Sequence, residues 1–335
     1  GNTWTAPHEI APSIYESGVD GSIFNPVIYQ VPDSNSMLLF YLSGTLGNAD
    51  TVKRISNDGG VTWSTPQTLP VGVRGSDRNQ PLLLDSGILI TPNTDGGLSF
   101  DRTPDFGETW LSGSTAPDPQ GYGGIQPALL THSGGRLQVL GRSQSGSIVT
   151  SWSDDDGQSW SALEQSSLPS NNSAIGATTL ADGRHLLVYN HSETPDGSWG
   201  GPRTPLVVSV SDDGVDWELA LVLEDESGEF SYPSVFQSDD GLVHVVYTWN
   251  RLRVKHAILD PSEFKPRSLD HGIMPVYAGD LNYDGFVGIE DLNIVLGNWN
   301  TGTPPTTGTP SIPEPATLGL MAIGAMAFMR RRYTF

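Results

Sequence analysis

A short unit recurs along this chain: a polar residue, a proline, then an apolar run. It reads Asn25-Pro26-Val27-Ile28, Gln80-Pro81-Leu82-Leu83, Gln126-Pro127-Ala128-Leu129 and Tyr232-Pro233-Ser234-Val235. A polar turn follows, then a second run rich in β-branched, leucine and aromatic residues, as at residues 37–41, 136–140, 184–189 and 242–247. Runs of this length bounded by turn residues predict short buried strands rather than helices. Each unit reads as inner strand, second strand, third strand, polar turn and outer strand.

The polar turn is itself a repeat. It occurs as Ser56-Asn57-Asp58-Gly59-Gly60-Val61-Thr62-Trp63, as Thr103-Pro104-Asp105-Phe106-Gly107-Glu108-Thr109-Trp110, and as Ser153-Asp154-Asp155-Asp156-Gly157-Gln158-Ser159-Trp160. A weaker copy ends Asp212-Asp213-Gly214-Val215-Asp216-Trp217, with Val210 where Ser is expected. Hydroxyl and carboxylate side chains can bond the backbone of a tight turn, glycine supplies positive φ, and the Trp packs between sheets. Trp4, Trp63, Trp110, Trp160 and Trp217 recur at intervals of roughly fifty residues, the length of a four-stranded propeller blade. Counting them gives an all-β, six-bladed propeller: a truncated first blade, four full ones, and a sixth whose third strand is residues 253–259. Residues 1–277 are expected to form this domain. Because Gly1-Asn2-Thr3-Trp4 looks like the back half of the turn motif, the chain reads as an N-terminally shortened fragment, and the missing signal peptide does not argue for the cytoplasm.

Composition narrows the chemistry. The chain has 335 residues and a net charge of −21, which argues against nucleic acid as a partner. With no Cys there are no disulfides and no thiolate chemistry. Gly (39) and Pro (25) are frequent, as many tight turns require. The protein is read as a monomer.

Strand order sorts the loops. The polar turns share one face with the first-to-second turns. The opposite face should carry Asn25, Asn79, Gln126, Asn172, Glu229 and Tyr232 before the inner strands, and Arg142, Asn190, His191, Arg203, Trp249 and Arg251 after the second strands. Arg74 and Arg78 map to it as well. Scarce arginines at a pocket mouth suit a carboxylate, whose two oxygens match the guanidinium fork, or simply solvate their loops. Tyr232 with Glu229 can supply a nucleophile and its base, or line the channel as an aromatic and a solvated carboxylate. His191 is a further acid/base candidate. No cofactor is expected for catalysis.

Residues 20–263 resemble the BNR-repeat (Asp-box) sialidase-like, or neuraminidase-like, family. The carrying segments are Phe24-Asn25-Pro26-Val27, Ile125-Gln126-Pro127-Ala128, Gly141-Arg142-Ser143, Tyr189-Asn190-His191 and Gly228-Glu229-Phe230-Ser231-Tyr232-Pro233. The resemblance implies a glycoside hydrolase of terminal acidic sugars, with arginines on the sugar carboxylate and a Tyr-Glu pair. Sialidases of this family would place an arginine near Ile148, so a uronate stands beside sialic acid as substrate. A polysaccharide lyase or a non-catalytic glycan-binding propeller are the alternatives.

Three appendages follow. In residues 278–300, the run Asp280 to Asp291 has the spacing of a calcium loop, with Asp280, Asn282, Asp284, the Phe286 carbonyl and Asp291 as ligands. The residues after it read as a helix, and the whole resembles one dockerin repeat; cohesin binding takes two repeats and is not expected. Residues 301–312 are a Thr/Pro/Gly linker. In residues 313–335, Pro313-Glu314-Pro315, an apolar helix and Arg330-Arg331-Arg332 resemble a PEP-CTERM sorting signal. It implies export by a Gram-negative-type bacterium, transient inner-membrane anchoring through a short transmembrane segment, and an exosortase-like partner.

Overall fold

The computed structural model describes residues 6, 8–11, 22–45, 48–194, 198–269 and 289–297. Five antiparallel sheets follow one another along the chain. The first holds β1 (Ser22–Gln30), β2 (Met37–Thr45), β3 (Asn48–Ser56) and β4 (Gln67–Thr68), paired in that order. The second holds β5 (Leu82–Leu83), β6 (Leu89–Thr94), β7 (Leu98–Thr103) and β8 (Leu111–Thr115). The third runs β9 (Ile125–Thr131), β10 (Leu137–Arg142), β11 (Ser147–Ser153) and β12 (Glu164–Pro169). The fourth contains β13 (Gly176–Thr179), β14 (His185–Asn190), β15 (Leu206–Ser211) and β16 (Glu218–Glu224). The fifth has three strands, β17 (Phe230–Gln237), β18 (Val243–Trp249) and β19 (Arg253–Leu259).

The predicted six-bladed propeller is corrected to five blades. The expected first, truncated blade rested on Trp4 alone, and no described strand precedes β1. The fifth blade also lacks an outer strand among the described residues. After β19 the chain instead adds β20 (Arg267–Ser268) to the fourth sheet, pairing Glu218 with Ser268 and Leu219 with Arg267. The expected helical parts are corrected with it. Among the described residues the blades contain no α-helix, one nine-residue helix, α1 (Ile289–Gly297), follows them in the sequence, and the proposed apolar C-terminal helix falls outside the described residues. Among the described residues no helix is long and apolar enough to cross a membrane.

Alternation along the strands builds the core. On β14, β15 and β10 every residue is buried, because both faces of each sheet are covered by a neighbouring blade. Four apolar clusters fill the four spaces between consecutive sheets. Phe100 stacks on Trp160 at 4.1 Å between the second and third blades.

The acidic turns are built as their residue types require. In the first, Ser56 Oγ accepts from Gly60 N at 2.8 Å, Asp58 accepts from Thr62 N at 2.8 Å, and Trp63 Nε1 donates to Gly60 O at 3.0 Å. The copies at Thr103–Asp105 and Ser153–Asp155 repeat the first two bonds, while Trp160 Nε1 donates instead to Ser114 Oγ at 3.1 Å. The fourth copy is one residue shorter than the spacing suggested. Ser211, not position 210, is its hydroxyl: Gly214 N donates to Ser211 Oγ at 2.8 Å, and Val215 N and Asp216 N both donate to Asp213.

Candidate functional site

Near the start of its inner strand, within it or up to four residues before it, each blade carries a non-glycine residue in the left-handed region. These are Asn25 (φ 52), Arg78 (φ 79), Gln126 (φ 55), Asn172 (φ 55) and Tyr232 (φ 56). In the first, third and fifth blades the residue sits in a bulge, where the register slips between Phe24 and Val27, between Leu140 and Arg142 opposite β9, and between Ser231 and Ser234. Side-chain-bearing residues adopt this conformation at a cost of about 1–3 kcal/mol, and five repeats of it re-aim five side chains. Asn25, Gln126 and Tyr232 line one cavity of about 720 Å³, together with Asp77, Arg142 and Arg203.

Arginines surround Tyr232. The Arg203 and Arg78 guanidinium carbons lie 5.1 and 5.4 Å from its ring centroid. Burial raises the phenol, but the hydrogen bond from Arg203 and the charges of Arg203, Arg142 and Arg251 outweigh it and hold it below the ordinary tyrosine value. Arg78 Nη2 donates to Pro233 O at 2.8 Å, joining the second blade to the fifth. Burial pushes Arg78 down to about 10, which leaves it cationic at neutral pH. Arg142 Nη1 donates to Asn172 O at 2.7 Å.

Asp77 is the buried carboxyl of the cavity. It accepts from Asn25 Nδ2 at 2.7 Å. Burial raises its pKa, outweighing that bond and the charges of Arg78, Arg142 and Arg74. Its loop is clamped from behind by Asp101, which accepts from Arg74 N at 2.7 Å, Gly75 N at 2.9 Å and Asn93 Nδ2 at 3.0 Å. Ser76 Oγ, Gln126 Oε1, Asn172 Oδ1, Arg78 Nε and Arg142 Nε are buried without a hydrogen-bond partner among the described residues. Of these residues, Gln126 and Arg142 line the cavity.

Most of the expected face is assembled, with different roles inside it. Asn25, Gln126, Arg142, Arg203 and Tyr232 line the cavity. Asn79 is buried and donates to the carbonyls of Gln126 and Pro127 at 3.0 Å each. Asn172 and Asn190 also hold backbone, Asn190 through Phe230 O at 2.9 Å. Trp249 packs on Phe230 and under Arg253. Glu229 does not bond Tyr232. Its carboxylate takes Arg251 Nε at 2.7 and 2.8 Å and Ser231 Oγ at 3.2 Å, with Arg203 at 3.5 Å. The hydrogen bond from Arg251 holds it below the usual carboxylate range. His191 lies in a separate groove with Glu193, Asp216 and Trp217, its Nδ1 2.5 Å from the Tyr189 hydroxyl.

Sequence reasoning missed Asp77 as an acid and, although it mapped Arg78 to this face, took Asn79 as the residue before the second blade's inner strand, whereas Arg78 is the one in the left-handed region. The Pro that directly follows the left-handed residue in the first, third and fifth blades comes three residues after Arg78, and β5 is only two residues long. Trp199, also at the cavity, left no signal in the repeat. The calcium-loop residues Asp280, Asn282, Asp284 and Phe286 lie outside the described residues; Asp291 falls on α1, but its side chain also lies outside them.

Residues 1–245 match the BNR repeat-like domain family, and residues 311–332 match the PEP-CTERM protein-sorting motif, which marks a chain for export and surface sorting. No curated protein matches. Among solved structures, the K499G mutant of NanB sialidase from Streptococcus pneumoniae superposes with a TM-score of 0.55 at 17% identity, over 67% of this chain and 37% of that one. The intramolecular trans-sialidase from Ruminococcus gnavus, in complex with oseltamivir carboxylate, gives 0.53 at 16%, over 76% and 62%. A protein of unknown function from Dyadobacter fermentans gives 0.52 at 16%, over 77% and 85%. The chain spans little more than a third of the NanB length, and at these identities the likeness is one of fold.

Proposed function

The chain belongs to the BNR repeat-like domain family, and we propose on that footing that it is an exported glycoside hydrolase acting on terminal acidic sugars, sialic acid or a uronate. The observation that carries this reading is that Arg142 and Arg203 line the cavity with Tyr232, while the buried Arg78 packs against the same ring. A sugar carboxylate gains from a guanidinium fork in a half-buried site, and the Asn25, Asn93 and Gln126 amides that line the cavity suit sugar hydroxyls. The sialidases of similar fold support the substrate class.

The geometry gives each residue one task. Asp77, whose pKa burial raises, donates its proton to the glycosidic oxygen as the C–O bond breaks. Tyr232, with its proton released to solvent under the pull of the arginines, attacks the anomeric carbon as a phenolate. Water then attacks that carbon, gives its proton to Asp77, and displaces the tyrosine. Glu229 positions Arg203 and Arg251 and takes no proton.

One observation favours a second reading, a glycan-binding propeller without turnover: no carboxylate touches the Tyr232 hydroxyl to serve as its base. Release of sugar from sialylated and uronate-bearing oligosaccharides separates the two. The hydrolase reading expects turnover that falls at least about a hundredfold in Asp77→Asn and in Tyr232→Phe. Binding with no turnover by the unaltered protein would move it to the second reading, and an unsaturated uronate product would make it a lyase.

A further inference from the structure

We propose that Trp199 forms a ring-stacking subsite beside the arginine cluster for a neutral hexopyranose, linked to the sugar whose carboxylate the arginines hold. The inference depends on the acidic-sugar reading for that first sugar only.

Trp199 lines the cavity with 71% of its surface exposed. A lone exposed apolar side chain is ordinary on a protein surface. This one stands on fixed backbone. Its carbonyl accepts from Asn172 Nδ2 at 2.7 Å. Two residues on, Gly201 N donates to Asn171 O at 2.8 Å, and Asn171 Nδ2 donates to Pro202 O at 2.5 Å, an oxygen also taken by Ser192 Oγ at 2.6 Å. The packing is so close that a Cβ at Gly201 would lie 2.0 Å from Glu193 O.

Asn172 makes the connection. Its side chain fixes the Trp199 carbonyl, its own carbonyl accepts from Arg142 Nη1, and its left-handed φ of 55 fixes both directions. The Arg142 guanidinium and the backbone that carries the indole are thereby both tied to one buried residue. Pyranoses present a face of C–H groups that packs on an indole, while their hydroxyls stay in water. A platform that is already ordered loses little entropy when it binds. The ligand is therefore at least a disaccharide, the acidic sugar among the arginines and a neutral one against Trp199.

Calorimetric titration of the whole chain tests this with N-acetylneuraminic acid and glucuronic acid, each free and linked to galactose, and with lactose. The unaltered protein should bind the linked forms about tenfold tighter than the free acids. Trp199→Ala should erase that gain and leave the free acids bound as before, and Trp199→Phe should restore most of it. Equal loss for free and linked forms, or no loss for either, overturns the subsite. Failure of every acid to bind while lactose binds through Trp199 overturns the acidic-sugar reading and leaves a neutral-sugar site standing. Failure of all the sugars overturns both.

Discussion

Asp77 and Tyr232 share Arg142 as a charged neighbour, yet they shift in opposite senses relative to their charged forms. Asp77 is buried enough that desolvation wins over the charges and raises its pKa, whereas Tyr232 is bonded by Arg203 and loses its proton more easily. Removing that bond is a direct check. In Arg203→Gln the phenol should titrate at higher pH than in the unaltered protein, read by ultraviolet difference titration against Tyr232→Phe. An unchanged titration would show that Arg203 does not tune it. Arg203→Lys replaces a fork with a point charge and should weaken acidic-sugar binding by about 1–3 kcal/mol. Much of this residue set was legible beforehand, because Asn25, Gln126 and Tyr232 announce themselves by the proline that follows. Asp77 was not, and Arg78 was mapped to this face without its place at the turn, since their blade reaches the same left-handed turn without a proline next to it. The Tyr232–Glu229 pairing also failed, because closeness in sequence placed Glu229 near two arginines that compete for its carboxylate.

Between the third and fourth blades, elements rather than single residues carry a pH response. His185 Nε2 lies 3.1 Å from His132 Nδ1, and His132 Nε2 lies 3.0 Å from Gln138 Oε1. Gln138 spends its amide protons on Gly214 O and Thr150, so its oxygen accepts, His132 carries its proton on Nε2, and His185 donates to the free Nδ1. Burial pushes His185 down to about 4, with neighbouring His132 adding to it and Asp213 and Asp212 opposing it; burial and Arg136 lower His132, with Gln138 and Asp213 opposing. An imidazole depressed in the folded state stabilises fully above its ordinary value near 6.5 and loses that contribution as pH falls toward 4. Thermal midpoints should therefore drop between pH 7 and pH 5, by roughly 2–4 °C for each kcal/mol lost, and less in His185→Gln. A midpoint independent of pH in that range would show that the imidazoles already have charged partners. The adjoining turn is equally tight: a Cβ on Gly214 would lie 2.0 Å from Gln138 Oε1 at φ 74, so Gly214→Ala should cost about 1–3 kcal/mol in chemical denaturation. The acidic turns were legible because their bonds are local, and Ser211 escaped only because its copy is a residue shorter.

At the scale of the whole molecule, strand pairing was readable and blade number was not. The repeats fix what one blade is, but a count depends on partners far apart in sequence, and β20 joins the fourth sheet where the repeat expected a strand of the last blade. The sorting motif at residues 311–332 lies beyond every sheet strand. A chain ending before Pro313 should therefore keep its channel affinity while losing surface sorting, read by titration and by cell fractionation. The central claim, that the channel is an acidic-sugar site organised by arginines around Tyr232, is tested most directly by one comparison. Binding of N-acetylneuraminic acid and glucuronic acid is measured calorimetrically beside that of their methyl esters, which keep every hydroxyl and lose only the charge. The arginine cluster predicts esters bound at least about tenfold more weakly than the acids. Equal affinity for acid and ester would contradict it.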